Sequence, residues 1–390
     1  MKSVFFVSCP LGFEKNLVLE ISRCWFQFID KDGLPTRAEL PDFEILKGGV
    51  EFETEIHLGL QINFFTKIGL RVLLRIARFK VRYYDQVEKE FKKMNWNQYF
   101  SFSENPHLTI QFDTTKSRLN NEKNLIEAFS HVLPPGVRIA ETSVNQLMVR
   151  IENDFAEVSV NTSGEHLHFR GYRKEQGEAP IRENLAALLL DFMGVPLYQK
   201  VTVVDPFVGA GTLLFEAALV DYPHLEREYD FLKSKYVPSL FKSDSWKKNY
   251  RHLNRRAIKL IGIEKDPQTF KKWQSNLETF SKLFFPIEMH CFSGDSLQVD
   301  LSAVLGDSEQ VWVVANPPYG ERLKAQQDQV LAVFQRFVRD YQPHGMIILH
   351  PIDWTVSFTS EYDCQKIPFS NQGLRLTLSV FKRAPKKSIS

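Results

Sequence analysis

A glycine-containing turn in the middle of the chain has the composition of a site that holds a ligand against the main chain. The apolar run Val201–Val204 predicts a buried strand that leads into Asp205, and Gly209 and Gly211 precede a helix that begins near Thr212. Small residues let a ligand approach the main chain closely, and the first turn of a helix has free amide groups. The spacing disfavours a dinucleotide site and excludes a nucleoside-triphosphate cradle. The alternative is a tight turn without a ligand.

Two acidic residues follow later strand-like runs. Glu264 ends the predicted strand Leu260–Glu264, and Asp295 comes shortly after the predicted strand Ile287–Cys291. A carboxylate at the end of such a strand can accept hydrogen bonds from ribose hydroxyls, as Glu264 would, or from an adenine amino group, as Asp295 would. The alternative is that each acid caps a helix. Neighbouring residues of the three turns are further candidate cofactor contacts: Pro206, Phe207, Lys265 and Ser296.

The most specific chemistry lies in a turn rich in proline. The run Val311–Ala315 predicts a strand that leads into Asn316, Pro317, Pro318 and Tyr319, which are the candidate catalytic residues. The prolines donate no amide hydrogen, so this stretch presents acceptors only. The Asn316 side-chain oxygen and the Pro317 carbonyl can accept hydrogen bonds from an amino group on a planar ring, and Tyr319 can stack on that ring. Such a site would act by positioning and electrostatics, and a base in a duplex would have to be flipped out to reach it. The alternative is a rigid strand-to-helix turn.

Other chemistries are disfavoured by what the sequence lacks near this turn. None of the four cysteines, Cys9, Cys24, Cys291 and Cys364, lies near Asn316 in the sequence, which argues against a reaction through a cysteine nucleophile at this turn. The cysteines form no C-x-x-C pair and the ten histidines form no H-E-x-x-H spacing. The sequence therefore predicts no metal site.

Composition is that of a globular protein with two or three domains. The chain has 390 residues, of which 43% are hydrophobic and 25% charged. A formal net charge of +2 excludes a protein that is basic over its whole surface and coats nucleic acid, but it is compatible with local basic patches. Few, scattered cysteines, a short N-terminal apolar run and no apolar stretch of about 18 residues favour a cytoplasmic protein without a membrane segment.

The elements that position these residues divide into two kinds. In the C-terminal part, short apolar runs alternate with helical patterns, which predicts a doubly wound parallel sheet. Its predicted strands are Val201–Val204, Leu260–Glu264, Ile287–Cys291, Val311–Ala315 and Met346–Leu349, with an edge hairpin of Cys364–Pro368 and Leu374–Lys382. The N-terminal part predicts an α+β arrangement. Its predicted strands are Val4–Ser8, Gly48–Thr54, the second half of 71–82, His107–Asp113, Gln146–Ile151 and Ala156–Thr162, and its helices are Gly12–Phe28, Glu55–Ile68, Tyr84–Met94 and Asn121–Val132.

Two basic clusters predict contacts with a nucleic-acid backbone. The stretch 67–93 holds nine basic and three acidic residues. A second cluster interleaves Trp246 and Tyr250 with cations, which suits base stacking as well as phosphate contact. A solvated face is the alternative for the first stretch. The candidate RNA-binding residues are Arg78, Lys80, Arg82, Lys247, Lys248 and Arg251.

Over essentially its whole length, the sequence resembles the THUMP-domain RNA guanine methyltransferases, which include bacterial large-subunit rRNA enzymes and archaeal and eukaryotic tRNA enzymes. The resemblance lies in four segments: 168–173 (HFRGYR), 179–187 (APIRENLAA), 205–217 (DPFVGAGTLLFEA) and 316–323 (NPPYGERL). The third is similar to the first motif of class I S-adenosylmethionine-dependent methyltransferases. The fourth resembles the motif of enzymes that methylate an amino group on a planar ring.

The resemblance implies an α/β protein with a Rossmann-like methyltransferase domain at 166–390, containing a mostly parallel seven-stranded sheet. It also implies a ferredoxin-like subdomain at 1–55 and a THUMP RNA-binding domain at 56–165. S-adenosylmethionine would be the cofactor, S-adenosylhomocysteine the product, and N(2)-methylguanosine in structured rRNA or tRNA the modification, with no metal. The first two segments would lie against the cofactor, which adds Arg170, Arg182 and Asn184 as candidate cofactor contacts.

Two rival functions stay open at this point. One is an adenine-amino-group DNA methyltransferase, because N-P-P-Y also occurs in such enzymes. The other is a non-catalytic RNA-binding or assembly factor with a vestigial methyltransferase fold. The presence of Asp205, Glu264, Asp295 and Asn316 together argues against the second.

Overall fold

Two β-sheets organise the chain, and each belongs to its own unit. The computed structural model describes residues 2–175, 181–195, 200–250, 258–306, 310–318, 327–358, 361–371 and 374–384. The described residues of Met1–Leu167 and Arg227–Leu253 form the first unit, and those of His168–Glu226 and Asn254–Ser390 form the second.

The first unit is built on an eight-stranded sheet. Its strands are β1 (Lys2–Ser8), β2 (Glu44–Leu46), β3 (Gly49–Glu55), β4 (Arg71–Lys80), β5 (His107–Thr115), β6 (Arg138–Ile139), β7 (Gln146–Glu152) and β8 (Phe155–Asn161). Its helices are α1 (Glu14–Trp25), α2 (Ile56–Phe65), α3 (Tyr84–Phe91) and α4 (Glu122–Ser130). The strand order is β2-β3-β1-β4-β8-β7-β5-β6, in which β5 pairs in parallel with β6 and β7. The predicted α+β arrangement is confirmed, and the ambiguous stretch at 71–82 is a strand over Arg71–Lys80.

The sheet crosses the boundary that the sequence places between residues 55 and 56. β1 pairs with β3 on one side and with β4 on the other, so strands from both predicted N-terminal domains share one sheet. The division into a subdomain at 1–55 and a domain at 56–165 therefore does not correspond to two separate units.

A later segment also differs from the sequence-based division, because the described residues of Arg227–Leu253 belong to the first unit. There the ring of Trp246 stacks on Phe64 of α2 at 4.8 Å between centroids, and the Tyr250 hydroxyl donates to the side-chain carbonyl of Gln61. Both aromatic rings are almost fully buried. Trp246 and Tyr250 are thus core residues, and the predicted stacking on bases is wrong for them.

The second unit contains the predicted seven-stranded, mostly parallel sheet. Its strands are β9 (Val201–Asp205), β10 (Ile258–Glu264), β11 (Met289–Ser293), β12 (Val311–Ala315), β13 (Gly345–Pro351), β14 (Tyr362–Asn371) and β15 (Leu374–Arg383). Its helices are α5 (Glu183–Asp191), α6 (Thr212–Leu219), α7 (Pro267–Leu283), α8 (Ser302–Leu305) and α9 (Gln327–Tyr341). The order is β11-β10-β9-β12-β13-β15-β14, and β15 runs antiparallel to both neighbours. The predicted fold class and the edge hairpin are confirmed.

Burial explains why the central strands read as unbroken apolar runs. All five residues of β9 and all five of β12 are buried, as expected for parallel strands covered on both faces. Helix α7 begins where the Asp266 side chain accepts from the amide of Thr269 at 2.7 Å, and Pro267 occupies its first turn. These elements deliver the candidate site residues to the carboxyl ends of the strands.

Candidate active site at the carboxyl ends of β9, β10 and β12

The glycine turn and the proline turn meet at the point where the sheet order reverses. Strands β9 and β12 are parallel neighbours, with Val204 opposite Val313. Asp205 and the glycine turn leave the end of β9, and Asn316 leaves the end of β12. In doubly wound sheets, ligands bind outside the strand ends at this reversal. The structure therefore brings the two predicted motifs together.

The two glycines of the turn serve different purposes. Gly209 and Gly211 have φ of +55° and +93°, which disfavour other residues. A Cβ on Gly211 would lie 2.5 Å from both Phe215 and Trp273, so packing of α6 against α7 requires glycine there. Among the described atoms, a Cβ on Gly209 would have only the Phe207 carbonyl oxygen within 4 Å, at 3.9 Å. Gly209 therefore borders open space in which a ligand can approach the main chain.

Glu264 ties that turn to β10. Its Oε2 accepts from the amide of Gly209 at 3.0 Å, and its Oε1 accepts from the amide of Asp266 at 2.8 Å. Burial raises the pKa of this carboxyl. Because each carboxylate oxygen has two lone pairs, both can still accept a ligand hydroxyl. Glu264 thus holds the glycine turn and the start of α7, and it can still accept hydrogen bonds from ribose hydroxyls as predicted.

Asp205 is fully buried at the end of β9. Its Oδ1 accepts from the amide of Phe207 at 2.9 Å. Burial, with a smaller contribution from the nearby Glu264 carboxylate, raises the pKa of Asp205 to about 8. The carboxyl therefore keeps its proton well above the pH at which an exposed aspartate ionises.

We expect Asp205→Asn to stabilise the ligand-free protein at pH 8 more than at pH 5. An aspartate in the unfolded chain titrates near pH 4, whereas Asp205 in the folded protein titrates near pH 8, so folding takes up a proton between these values. The contribution of Asp205 to stability is complete below about pH 4 and is lost as the pH rises towards 8, by at most about 1.4 kcal/mol per pH unit. Urea denaturation of both proteins at the two pH values measures this. An equal difference at pH 5 and pH 8 would show that the Asp205 pKa is not raised.

The turn after β11 is held by side chains that the sequence assigns to the cofactor. Lys265 donates to Asp295 Oδ2 at 2.8 Å, and this hydrogen bond lowers the pKa of the Asp295 carboxyl. The hydroxyl of Ser296 donates to the carbonyl of Pro206. Asp295 lies two residues after β11, and its hydrogen bond to an adenine amino group stays a prediction. Lys265 and Ser296 instead join turns to one another.

Two residues of the glycine turn point into the protein. The ring of Phe207 is partly buried and meets Phe334 of α9 edge-on, with 5.7 Å between the ring centroids, where it packs against the core of the unit. Thr212 is buried as the first residue of α6. Phe207 is therefore a packing residue in the ligand-free protein, which sequence spacing alone did not reveal.

Asn316 presents an unused acceptor. Its Oδ1 is buried and accepts no hydrogen bond among the described residues. Pro317 is buried and Pro318 is exposed. A buried polar atom without a hydrogen-bond partner costs free energy of folding, and such an atom in a native structure calls for an explanation such as a functional role. Tyr319, the fourth predicted catalytic residue, lies outside the described residues.

The segment before α5 is fastened by buried ion pairs. Arg170 Nη2 lies 3.3 Å from Glu216 Oε2 on α6, and the Tyr172 hydroxyl donates to the other Glu216 oxygen at 2.9 Å. Arg173 donates to Glu183 Oε1 at 2.7 Å. The guanidinium of Arg170 is thus engaged inside the protein by Glu216, and its contact with a cofactor stays a prediction. The sequence analysis missed Glu216, a single acid within an otherwise apolar helix.

The start of α5 carries two further unsatisfied groups. Asn184 Oδ1 and Glu183 Oε2 are buried and have no hydrogen-bond partner among the described residues. Arg182 stands at the N-cap position, and its side chain makes no capping hydrogen bond. Asn184 thus remains a candidate ligand contact.

The basic strip on β4 is largely neutralised within the first unit. Arg78 pairs with both Glu51 and Glu157, and Arg82 lies 3.6 Å from Asp154. Lys80 is exposed. Arg78 is therefore a poorer candidate for RNA contact than the sequence indicates, because two carboxylates already neutralise its charge. The sequence does not reveal these partners, because they lie far from Arg78 along the chain.

In the second basic cluster, Lys247 is half-buried, with Nζ 4.0 Å from Asp244, and Lys248 is exposed. Arg251 lies outside the described residues.

Several alternatives find no support within the described part of the chain. No group of three or more histidine, cysteine or acidic residues there is placed to hold a metal ion. Burial raises the pKa of the Cys291 thiol to about 11, so it is not a ready nucleophile. None of the described helices is both long and apolar enough to cross a membrane.

Comparison with known proteins agrees with this geometry. Ribosomal RNA large subunit methyltransferase K/L of Shewanella pealeana is 29% identical over 343 residues, which cover 82% of this chain and 44% of that protein. The protein of the same name from Buchnera aphidicola is 25% identical over 305 residues, which cover 73% of this chain and 42% of that protein. The chain thus spans less than half the length of these curated relatives.

Solved structures share the fold across the whole chain. TrmN from Thermus thermophilus has a TM-score of 0.67 at 14% identity, with 98% of this chain and all of that chain covered (100%). A protein from Listeria monocytogenes, described as a predicted N6-adenine-specific DNA methylase, has a TM-score of 0.74 at 20% identity, with 97% and 96% covered. A methyltransferase crystallised with SAH has a TM-score of 0.76 at 18% identity, with 99% of both chains covered.

The family model UPF0020, described as the RMKL-like methyltransferase domain, matches residues 170–378, more than half of the chain. The match includes the glycine turn, Glu264, Asp295 and Asn316. The chain therefore belongs to the RMKL-like methyltransferase family.

Proposed function

We propose that this chain is an S-adenosylmethionine-dependent RNA methyltransferase. It would methylate the exocyclic amine of guanine in large-subunit ribosomal RNA, giving N(2)-methylguanosine. The observation that carries the proposal is the buried Oδ1 of Asn316, which has no hydrogen-bond partner among the described residues and follows β12, the neighbour of the strand that leads into the glycine turn. The curated relatives named as large-subunit rRNA methyltransferases support an rRNA substrate. Such a substrate also implies a cytoplasmic location.

The residues at the strand ends fit S-adenosylmethionine. Gly209 borders open space, Glu264 has lone pairs free for two ribose hydroxyls, and Asp295 stands at the next strand end to accept from the adenine amino group. Asn184 provides a further buried, unsatisfied acceptor. When bound, S-adenosylmethionine supplies an electrophilic methyl group on a sulfonium sulfur.

The proline turn would orient the accepting base. The guanine amine is a poor nucleophile, because its lone pair is delocalised into the ring. Asn316 Oδ1 and the Pro317 carbonyl oxygen would accept hydrogen bonds from its two N–H groups, which localises the lone pair and directs it towards the methyl group. The nitrogen–carbon bond would form as the methyl–sulfur bond breaks, S-adenosylhomocysteine would leave, and the surplus proton of the amine would pass to water. Tyr319 would stack on the base. Catalysis by this turn is positioning and electrostatic stabilisation, with no covalent intermediate on the protein.

The first unit would grip RNA through the exposed part of β4 and the chain beyond it. We expect Lys80→Glu combined with Arg82→Glu to weaken RNA binding about tenfold and to reduce its dependence on salt, because fewer counterions are released. Filter binding over a range of salt concentrations measures both. Lys15→Glu with Lys31→Glu makes the same change in net charge at exposed positions outside the strip. Equal losses in the two double variants would show a general charge effect and no contact by the strip.

The assignment is tested by transfer of tritiated methyl from S-adenosylmethionine. The acceptors are large-subunit rRNA, tRNA and genomic DNA from a strain that lacks this gene. Labelling of the rRNA supports the proposal, whereas labelling of tRNA alone moves the substrate to that RNA. Labelling of DNA alone favours the adenine-amino alternative. Failure of the pure protein to bind S-adenosylhomocysteine in calorimetry favours a non-catalytic factor.

A further inference from the structure

Asn276 is a fully buried side chain on α7 whose hydrogen-bonding capacity is completely used. Its Oδ1 accepts from the amides of Lys174 and Glu175, both at 3.0 Å. Its Nδ2 donates to the carbonyl oxygens of Glu175 at 3.0 Å and Ala210 at 3.1 Å. A carboxamide has two donor hydrogens and two acceptor lone pairs, and here all four are engaged.

The groups that Asn276 joins belong to two separate parts of the second unit, the glycine turn and the segment 170–175. Ala210 stands between Gly209 and Gly211 in the glycine turn. Lys174 and Glu175 follow Arg170 and Tyr172, which bind Glu216 on α6, and they precede α5 in the sequence. One side chain on a third helix therefore links the glycine turn to the segment that leads to Asn184.

Other hydrogen bonds also hold the glycine turn: Asp205 accepts from the Phe207 amide, Ser296 donates to the Pro206 carbonyl, and the Gly211 amide donates to the Val208 carbonyl. The amide of Val208 donates to the Ile263 carbonyl at 3.1 Å, and Glu264 accepts from Gly209. Asn276 holds the Ala210 carbonyl, and thus the orientation of the peptide group between the two positive-φ glycines. Inside a protein, a fully satisfied polar network of this kind makes the groups that it joins rigid.

We propose that Asn276 is a positioning residue for cofactor binding: it sets the glycine turn and the 174–175 segment at the separation that receives S-adenosylmethionine. This inference rests on the proposed function. Asn276 acts through the main chain of its neighbours and does not contact the methyl group or the base. Its loss weakens cofactor binding and leaves the orientation of the base by Asn316 intact.

Asn276→Asp separates the donor half of this arrangement from its acceptor half. The aspartate still accepts from the two amides, but its second oxygen faces the carbonyls of Glu175 and Ala210. The matched control is Val333→Ala, a truncation of a buried core residue on α9. Calorimetry with S-adenosylhomocysteine, thermal unfolding and steady-state methyl transfer are measured for both variants and the wild type.

The expected result is that Asn276→Asp raises the Kd for S-adenosylhomocysteine about 10- to 100-fold relative to Val333→Ala, since two buried hydrogen bonds are lost. The KM for S-adenosylmethionine rises in parallel, and kcat at saturating cofactor stays within about threefold of wild type. If Asn276→Asp and Val333→Ala have the same Kd for S-adenosylhomocysteine at a temperature where both proteins are fully folded, Asn276 is only a core residue and the inference is wrong. If the wild type itself binds no S-adenosylhomocysteine, the proposed function fails instead.

Discussion

Replacing Asn316 with alanine is expected to reduce methyl transfer by about 100- to 1000-fold, the loss typical of removing one preorganised polar group from a transition state. The Asn316 Oδ1 is buried and has no hydrogen-bond partner among the described residues, so we expect it to accept a hydrogen bond from a group that arrives with the substrate. Alanine keeps the turn, because Pro317 and Pro318 still fix the chain. The loss should appear in kcat and in kcat/KM alike, because the interaction strengthens as the amine nitrogen attacks.

Cofactor binding separates this catalytic role from a structural one. S-adenosylhomocysteine contacts are assigned to the glycine turn, Glu264 and Asp295, so its Kd should change by no more than a few-fold in Asn316→Ala. Single-turnover methyl transfer and calorimetry on the same preparation give both numbers. Parallel losses of cofactor affinity and rate would mean that Asn316 merely holds the end of β12 in place.

Replacing Glu216 with alanine is expected to lower the free energy of unfolding by about 3–5 kcal/mol, because it breaks a buried ion pair. The Glu216 side chain is fully buried on α6 and accepts from Arg170 and Tyr172. Its removal leaves the buried Arg170 charge without this carboxylate and opens a cavity where the side chain stood. The segment that leads to α5 is loosened as a result.

Two further variants show whether the effect comes from the buried pair. Glu216→Gln keeps the size of the side chain and an acceptor for Tyr172, so its loss should be smaller, about 1–3 kcal/mol. Glu228→Ala removes an exposed partner of Lys233 and should change stability little. Urea denaturation measures all three. A Glu216→Ala protein as stable as Glu228→Ala would show that the Arg170–Glu216 pair contributes nothing.

The strands of the second unit could be predicted because their local chemistry is unambiguous. A parallel strand buried on both faces must be apolar throughout, so β9, β10, β12 and β13 stand out between polar segments. The functional side chains follow directly at the strand ends, so order along the chain was enough to bring Asp205, Glu264 and Asn316 to one edge.

What could not be predicted depends on partners that are distant in the chain. Nothing near Arg78 indicates that Glu51 and Glu157 neutralise it, and nothing around Trp246 indicates that it packs on Phe64. The sequence around Arg170 likewise does not indicate that its guanidinium pairs with Glu216.

The position of Asn276 in the sequence is a weak indication of a buried polar residue. It lies three residues after Trp273 and four before Phe280, on the buried face of α7, where a polar residue needs partners. The sequence cannot identify those partners, because the main-chain groups of residues 174, 175 and 210 are independent of residue type.

The measurement that tests the central claim most directly identifies the modified nucleoside. Large-subunit rRNA from a strain that lacks this gene is methylated by the purified protein with labelled S-adenosylmethionine, digested to nucleosides and analysed by mass spectrometry. We expect label in N(2)-methylguanosine, and about 100- to 1000-fold slower labelling when Asn316→Ala replaces the wild type. Label in a nucleoside whose methyl group is not on an exocyclic amine would contradict the role assigned to the Asn316–Pro318 turn.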